Sequence, residues 1–160
     1  LKPEGRKLDR DGAIKMWELQ KRYYIATLDL QLEDVGLGEA RMRMPFREAV
    51  MNNAGNVHGG AIMSLCDSAF WVALATRYGP SQPTATASLT CNFLSPARPP
   101  HDLIAHARVL KAGARICYGV VDVYSGEKLV AHATANFINT PADQYRRSAH
   151  EDAQLGHVRL

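Results

Sequence analysis

Residues 52–79, NNAGNVHGGAIMSLCDSAFWVALATRYG, constrain this chain more than any other stretch. Between Gly59 and Thr76 the sole charged residue is Asp67, set among Ala61, Ile62, Leu65, Cys66, Ala69, Phe70, Trp71, Val72 and Leu74. A surface helix shows one apolar stripe and one polar face. This segment is apolar nearly all round and reads as a helix enclosed by the rest of its domain. It reads as too short and too interrupted for a membrane span, which needs about 20 apolar residues. A carboxylate is costly to bury in such a helix. Asp67 is therefore a hydrogen-bonded structural group, a group on an exposed edge, or a group with chemical work.

What flanks the helix sets the fold class. Asp11 can cap a helix over 12–24, and 25–38 fits either a strand or a loose turn. Ala40, Met42, Met44 and Phe46 alternate with Arg41, Arg43 and Pro45, the period of a half-buried strand. After the helix come four alternating segments, 84–94, 102–110, 115–124 and 128–138. Their short connections predict antiparallel neighbours. Ala85, Ala87, Ala105, Ala107, Ala131, Ala133 and Ala135 predict an alanine-lined face on which a helix with Phe70 and Trp71 can lie close. The architecture expected is α+β: one long central helix wrapped by a curved antiparallel β-sheet.

At 160 residues the chain suits one domain, and 46% apolar residues suffice for a core. The expected division is an N-terminal helical extension, 1–39, packing on a domain of 40–140, then a polar tail, 141–160. A net charge of +3 without a long basic run argues against nucleic acid as a partner and is compatible with a small polyanion. Cys66, Cys91 and Cys117 form no CxxC pair and read as free core thiols of a reducing compartment. No apolar run at the N-terminus resembles a signal peptide, so a cytoplasmic location is expected. The histidines and cysteines lack metal-ligand spacing, and no phosphate-cradling glycine loop is present. Neither a metal nor a redox cofactor is expected.

HGGAIMSLCD at 58–67, with Asn52 six residues before His58 and Asp67 nine after it, resembles the signature of hotdog-fold acyl-CoA thioesterases. The nearest group is the phenylacetate-pathway (PaaI-type) one with its animal relatives. NFLSPA at 92–97 resembles that family's end-of-strand motif, and the likeness covers residues 40–139. The resemblance implies the hotdog fold, an acyl-CoA substrate, and catalysis by Asp67, Gly59, Asn52 and a strand hydroxyl. Thr86 and Ser88 both qualify for the hydroxyl, Thr86 having the better spacing to Pro96. His58, Gly60 and Ser88 are the expected substrate-binding positions.

The chemistry fits these residue types. An N–H at the start of a helix has no intrahelical partner and lies at the positive dipole end. Glycine lets a substrate approach that backbone, so the Gly59 N–H suits an oxyanion. Asp67 is either the base that activates water or the nucleophile of a mixed anhydride. Burial should raise its proton affinity. Asn52 would orient water or carbonyl, and Thr86 the carboxylate. Gly59 and Asp67 are eight residues apart, ~12 Å along a helix, whereas one carbonyl needs both within about 3–3.5 Å of its reacting atoms. A homodimer, or a dimer of dimers, is therefore expected, each site drawing Gly59 from one chain and Asp67 from the other. The alternatives are a non-catalytic acyl-CoA or lipid-binding hotdog protein, against which Asp67 argues, and a hydratase or dehydratase. The last needs a histidine where His58 does not stand.

Overall fold

The computed structural model describes residues 8–79 and 82–140. Residues 1–7 of the expected N-terminal extension, Pro80, Ser81 and the expected polar tail 141–160 lie outside the described residues. The elements are α1 Arg10–Gln20, α2 Tyr23–Thr27, β1 Gln31–Gly36, β2 Glu39–Met44, a 3-10 turn Glu48–Val50, α3 Gly59–Tyr78, β3 Thr84–Phe93, β4 Leu103–Ala112, β5 Ile116–Ser125 and β6 Lys128–Asn139. The first helix is two registers from expectation. Asp9, not Asp11, is its N-cap and accepts from the Gly12 N–H, while Asp11 sits in the first turn. The helix then ends at Gln20 and a separate α2 follows.

Six strands form one antiparallel sheet in the order β1-β2-β4-β5-β6-β3. Two expectations need correction here. The sheet starts before residue 40, because β1 pairs with β2 and joins the same sheet. A register shift between Leu32 and Asp34 breaks the alternation that would have marked β1 as a strand. Second, β3 and β4 are not neighbours: residues 94–102 carry the chain from one side of the sheet to the interior of its strand order. Gly126, at φ +60°, and Glu127 form a tight hairpin between β5 and β6.

Helix α3 packs against all six strands. It has twenty residues, so by length and composition it could span a bilayer, contrary to the expectation from sequence. Its apolar surface is instead spent inside the fold: Leu65, Cys66, Ala69, Phe70, Val72 and Ala73 have no exposed surface. Burying a residue such as Leu or Phe contributes about 1.5–3 kcal/mol, so this face fixes the helix on the sheet. The enclosure is incomplete, however. Met63, Ser64, Asp67 and Trp71 are half-buried, and Gly60 is exposed. These positions form a strip that the sheet does not cover and that α1 and α2 overlie in part. This helix-on-sheet arrangement is the hotdog fold.

The closest fit between helix and sheet is at Phe70. Its ring lies over Gly119 of β5, where an added Cβ would stand 2.2 Å from Phe70 Cε2 and 2.3 Å from the Arg108 carbonyl oxygen. The same ring meets Phe137 edge-on, with centroids 5.2 Å apart. Overpacking a filled core costs roughly 1–3 kcal/mol. Gly119→Ala is therefore expected to lower the urea unfolding free energy by at least about 1 kcal/mol. An unchanged denaturation midpoint would show that Phe70 has room to move.

Candidate active site

Midway along α3, the Thr86 hydroxyl donates to Asp67 Oδ1 at 2.7 Å. The reason lies in β3. A bulge between Thr86 and Ser88 shifts its register against β6. Beyond it, Leu89, Cys91 and Phe93 stand opposite the buried Ala135, Ala133 and Ala131 and face the helix. Before it, Thr86 stands opposite the buried Phe137 and also faces the helix. Bulges re-aim side chains in this way next to active sites. The expected inward set is thus corrected at Ala85 and Ala87: all three of Ala85, Thr86 and Ala87 are exposed, and register and the bond to Asp67 give Thr86 the helix-facing place.

The same shift removes Ser88 from the site. Ser88 stands opposite Asn136, between the buried Ala135 and Phe137, so it lies on the face turned away from α3. There its hydroxyl accepts from Asn136 Nδ2 at 3.0 Å. The expected substrate-binding role of Ser88 is not supported within this chain.

Two opposing influences act on Asp67. Burial, the larger, raises its proton affinity above the ordinary carboxylate range, and the Thr86 hydroxyl pulls it back down. Oδ2 has no hydrogen-bond partner among the described residues. The carboxylate opens on a cavity of about 190 Å³ lined by Trp17, Gln20, Ile25, Asp67, Ser68 and Trp71. The neighbouring Cys66 is sealed in the core. Its thiol is pushed well up, first by the hydrogen bond with Cys91 and then by burial, which leaves it a poor nucleophile.

The remaining candidates gather at the start of α3. His58 is the N-cap, and its Nδ1 accepts from the Gly60 N–H at 2.9 Å. Histidine and Gly60 are thus committed to each other. The Gly59 N–H has no acceptor among the described residues and remains available. Its neighbour is Phe93 at the far end of β3: an added Cβ on Gly59 would lie 3.0 Å from the ring. Asn52 builds the approach to the helix, its Oδ1 accepting from the Ala54 and Asn56 N–H groups at 3.0 and 3.1 Å. That ties up its oxygen as a turn former, and only its Nδ2 could serve a ligand. The loop is anchored by His58 N–H to Val50 O and by Val57 N–H to Ala97 O, at 2.8 and 2.9 Å.

The candidates therefore form two groups: Asn52, His58, Gly59 and Gly60 at the helix start, and Asp67 with Thr86 midway. Sequence reasoning did not single out Phe93 beside Gly59 or the cavity lining from α1 and α2. Phe93 lies within the NFLSPA motif, but motif matching gives no direction to its ring. Trp17 and Ile25 carry no signal for their contacts, since helix packing across 50 residues leaves no local pattern.

A cleft of about 430 Å³ lies on the other face of the sheet and includes Arg41, His106, Arg108, Asp122 and Tyr124. It holds none of these groups. Around it, His132 and Arg108 lie 2.7 and 3.6 Å from Asp122, and Arg41 lies 2.7 Å from Glu33. The chemistry is better placed at Asp67, where a carboxylate is partly desolvated and borders a cavity.

Comparison with known proteins bears on the family and the fold. Residues 54–132 match the thioesterase superfamily. PA0474 of Pseudomonas aeruginosa is 37% identical over 86 residues, 54% of this chain and 64% of that protein. VNG_1336C of Halobacterium salinarum is 36% identical over 106 residues, 62% of this chain and 66% of that protein. Both are provisionally named esterases, and the chain spans just under two thirds of the length of each. A variant of phenylacetic acid degradation protein PaaI from Thermus thermophilus has 28% identity and a TM-score of 0.67, covering 73% of this chain and 98% of that one. Zebra fish thioesterase superfamily member 2, at 19% identity, shares the fold with a TM-score of 0.76, covering 83% and 99%.

The raised proton affinity of Asp67 has a sign that can be measured. A carboxyl that holds its proton more tightly when folded contributes stability below the ordinary carboxylate range. That stability is lost as pH rises through the folded value. Asp67→Asn, which cannot ionise, is expected to melt higher than the parent at neutral pH. The gain should shrink as pH falls toward 4. A melting difference that stays constant across this range would mean that Asp67 is not desolvated.

Proposed function

For a chain whose residues 54–132 match the thioesterase superfamily, we propose hydrolysis of an acyl-CoA thioester to a carboxylic acid and CoA. The observation that carries this reading is a partly desolvated carboxylate, Asp67, held by Thr86 at the edge of a cavity.

In this reading Asp67 is the general base. Thr86 occupies Oδ1 and turns Oδ2 toward a water. Oδ2 takes a proton from the water as its oxygen adds to the thioester carbonyl carbon. The oxyanion so formed is held by the Gly59 N–H. Its collapse breaks the C–S bond, and the CoA thiolate recovers the proton from the Asp67 carboxyl. His58 holds the helix start through Gly60 and moves no proton. No step calls for a metal or redox cofactor.

Both groups cannot come from one chain, since Gly59 and Asp67 lie ~12 Å apart along α3. The form of β3 supports their meeting across a twofold axis. It is the last strand of the sheet, ten residues long, with one edge unpaired by any described strand. Long exposed edges are ready templates for pairing with another chain. Within one chain, Thr86 near one end of β3 touches Asp67, and Phe93 at the other end lies beside Gly59. Antiparallel pairing of β3 with its own copy sets the Thr86 end of one strand against the Phe93 end of the other. Each Asp67 then approaches the partner's Gly59 amide. The proposed assembly is a homodimer with two equal sites, free to pair further.

Thiol release from a panel of acyl-CoAs tests the chemistry. Asp67→Asn is expected to lose at least about 100-fold in kcat. Thr86→Val removes the donor that favours the ionised carboxylate, so the acid limb of its kcat/KM profile should move to higher pH. Thiol release unaffected in Asp67→Asn would exclude Asp67, and binding without release from any acyl-CoA would favour a carrier. Sedimentation should give a multiple of 17.6 kDa, at least twofold; a fully active monomer would refute the shared site.

A further inference from the structure

We propose that Ser68 and Gln20 are positioning residues that hold the hydrolytic water on Asp67 Oδ2. The inference rests on the acyl-CoA hydrolase reading and adds to it the groups that orient the nucleophile.

Ser68, Thr76 and Asn139 are buried polar residues of this fold. Two of them are paired within the protein. Thr76 Oγ1 donates to the Ala73 carbonyl at 2.7 Å and accepts from the Gly38 N–H at 2.8 Å. Asn139 Nδ2 donates to the Gly113 carbonyl at 2.9 Å. The Ser68 hydroxyl, on a residue only 5% exposed, has no hydrogen-bond partner among the described residues. The helix does not force this. Ser64, one turn earlier, donates to the carbonyl four residues back, that of Gly60, at 2.9 Å. Ser68 makes no such bond to Ser64. Its Oγ is not among the unpaired polar atoms sealed from solvent, so it keeps accessible surface. The space it borders is the cavity onto which Asp67 opens.

An unpaired buried hydroxyl is costly, and proteins satisfy such groups with ordered water that has roughly two to four polar partners. The cavity supplies Asp67, Ser68 and Gln20. Thr86 holds Asp67 Oδ1 at 2.7 Å, which leaves Oδ2 as the open acceptor. Ser68 follows Asp67 on α3, about 100° further round the axis, and both line the same space. Gln20, the last residue of α1, lines it from the other side with a carboxamide that can both donate and accept. Trp17, one turn earlier on the same face of α1, anchors that helix through its indole N–H, which donates to the Leu30 carbonyl at 3.1 Å. A water in this place donates one hydrogen to Asp67 Oδ2 and the other to Gln20 Oε1, and accepts from the Ser68 hydroxyl. One lone pair stays free for the carbonyl carbon. As Asp67 takes the proton, the Ser68 O–H stabilises the hydroxide character of the attacking oxygen.

A crystal structure of the intact protein tests the site without turnover. A water is expected within about 3.2 Å of both Asp67 Oδ2 and Ser68 Oγ, and Ser68→Ala should lose or displace it. Steady-state kinetics with an acyl-CoA supply the second readout. Losing one hydrogen bond to the nucleophile should lower kcat about 5–10-fold in Ser68→Ala, with KM little changed. Gln20→Met is expected to cost about threefold. The double variant should lose less than the product of the two, because loss of either group frees the same water. Since the Ser68 hydroxyl has no protein partner, Ser68→Ala should not lower the melting temperature. A water bridging both atoms in a protein that hydrolyses no acyl-CoA sustains the site and refutes the hydrolase. Density without that water, an unchanged kcat in Ser68→Ala, losses that simply multiply, or a kcat loss matched by a fall in melting temperature overturns the site and leaves the hydrolase reading standing. A raised KM at unchanged kcat gives Ser68 to the substrate and overturns the site equally.

Discussion

A single carboxylate in an otherwise apolar helix is the constraint on which the architecture depends. Such a group can be neither fully buried without losing its charge nor fully exposed without losing its reactivity. The fold meets both limits by covering α3 with the sheet on one side and leaving a strip open at Gly60, Ser64, Asp67 and Trp71. Burial raises the proton affinity of Asp67, and a single hydroxyl from β3 restrains the rise. The balance of these two influences leaves Asp67 holding a proton more tightly than an exposed aspartate does.

Much of this was legible because the residues follow local periods. The near-continuous apolar run gave α3 its place, and alternation of two placed β2, β4, β5 and β6. The isolated charge at position 67 and the glycines at 59 and 60 marked the helix as more than core. What escaped was non-local. Alternation through 84–93 looked regular, yet the bulge at Thr86–Ser88 reverses which residues face inward. Bulges are set by pairing with another strand, here β6, and not by the strand's own composition. Thr86 over Ser88 came from motif spacing, and the register shift is the physical reason for it. β1 was hidden by its own irregularity at Leu32 and Asp34. The Asp9 cap differs from the expected Asp11 because two acids in one turn can each serve, and only the Gly12 N–H decides between them.

One strand ties the two parts of the site together. β3 brings Thr86 to the acid and Phe93 to the glycine that opens the helix. Its outer edge is the place where the sheet can continue into a second copy. In the proposed dimer, the element that orients the carboxylate is also the element that brings two chains together. Assembly and catalysis would then be coupled through the same backbone, and not through a separate contact surface.

The Phe70 ring in the notch above Gly119 acts as a key that sets the azimuth of α3. Asp67 lies just under one turn away on that helix, so its bearing toward Thr86 depends on how the ring seats on β5. A side chain added at that point of the strand would turn Asp67, Ser68 and Trp71 together, since one helix carries all three. A change in the floor of the sheet can thus reach the acid without touching any residue beside it.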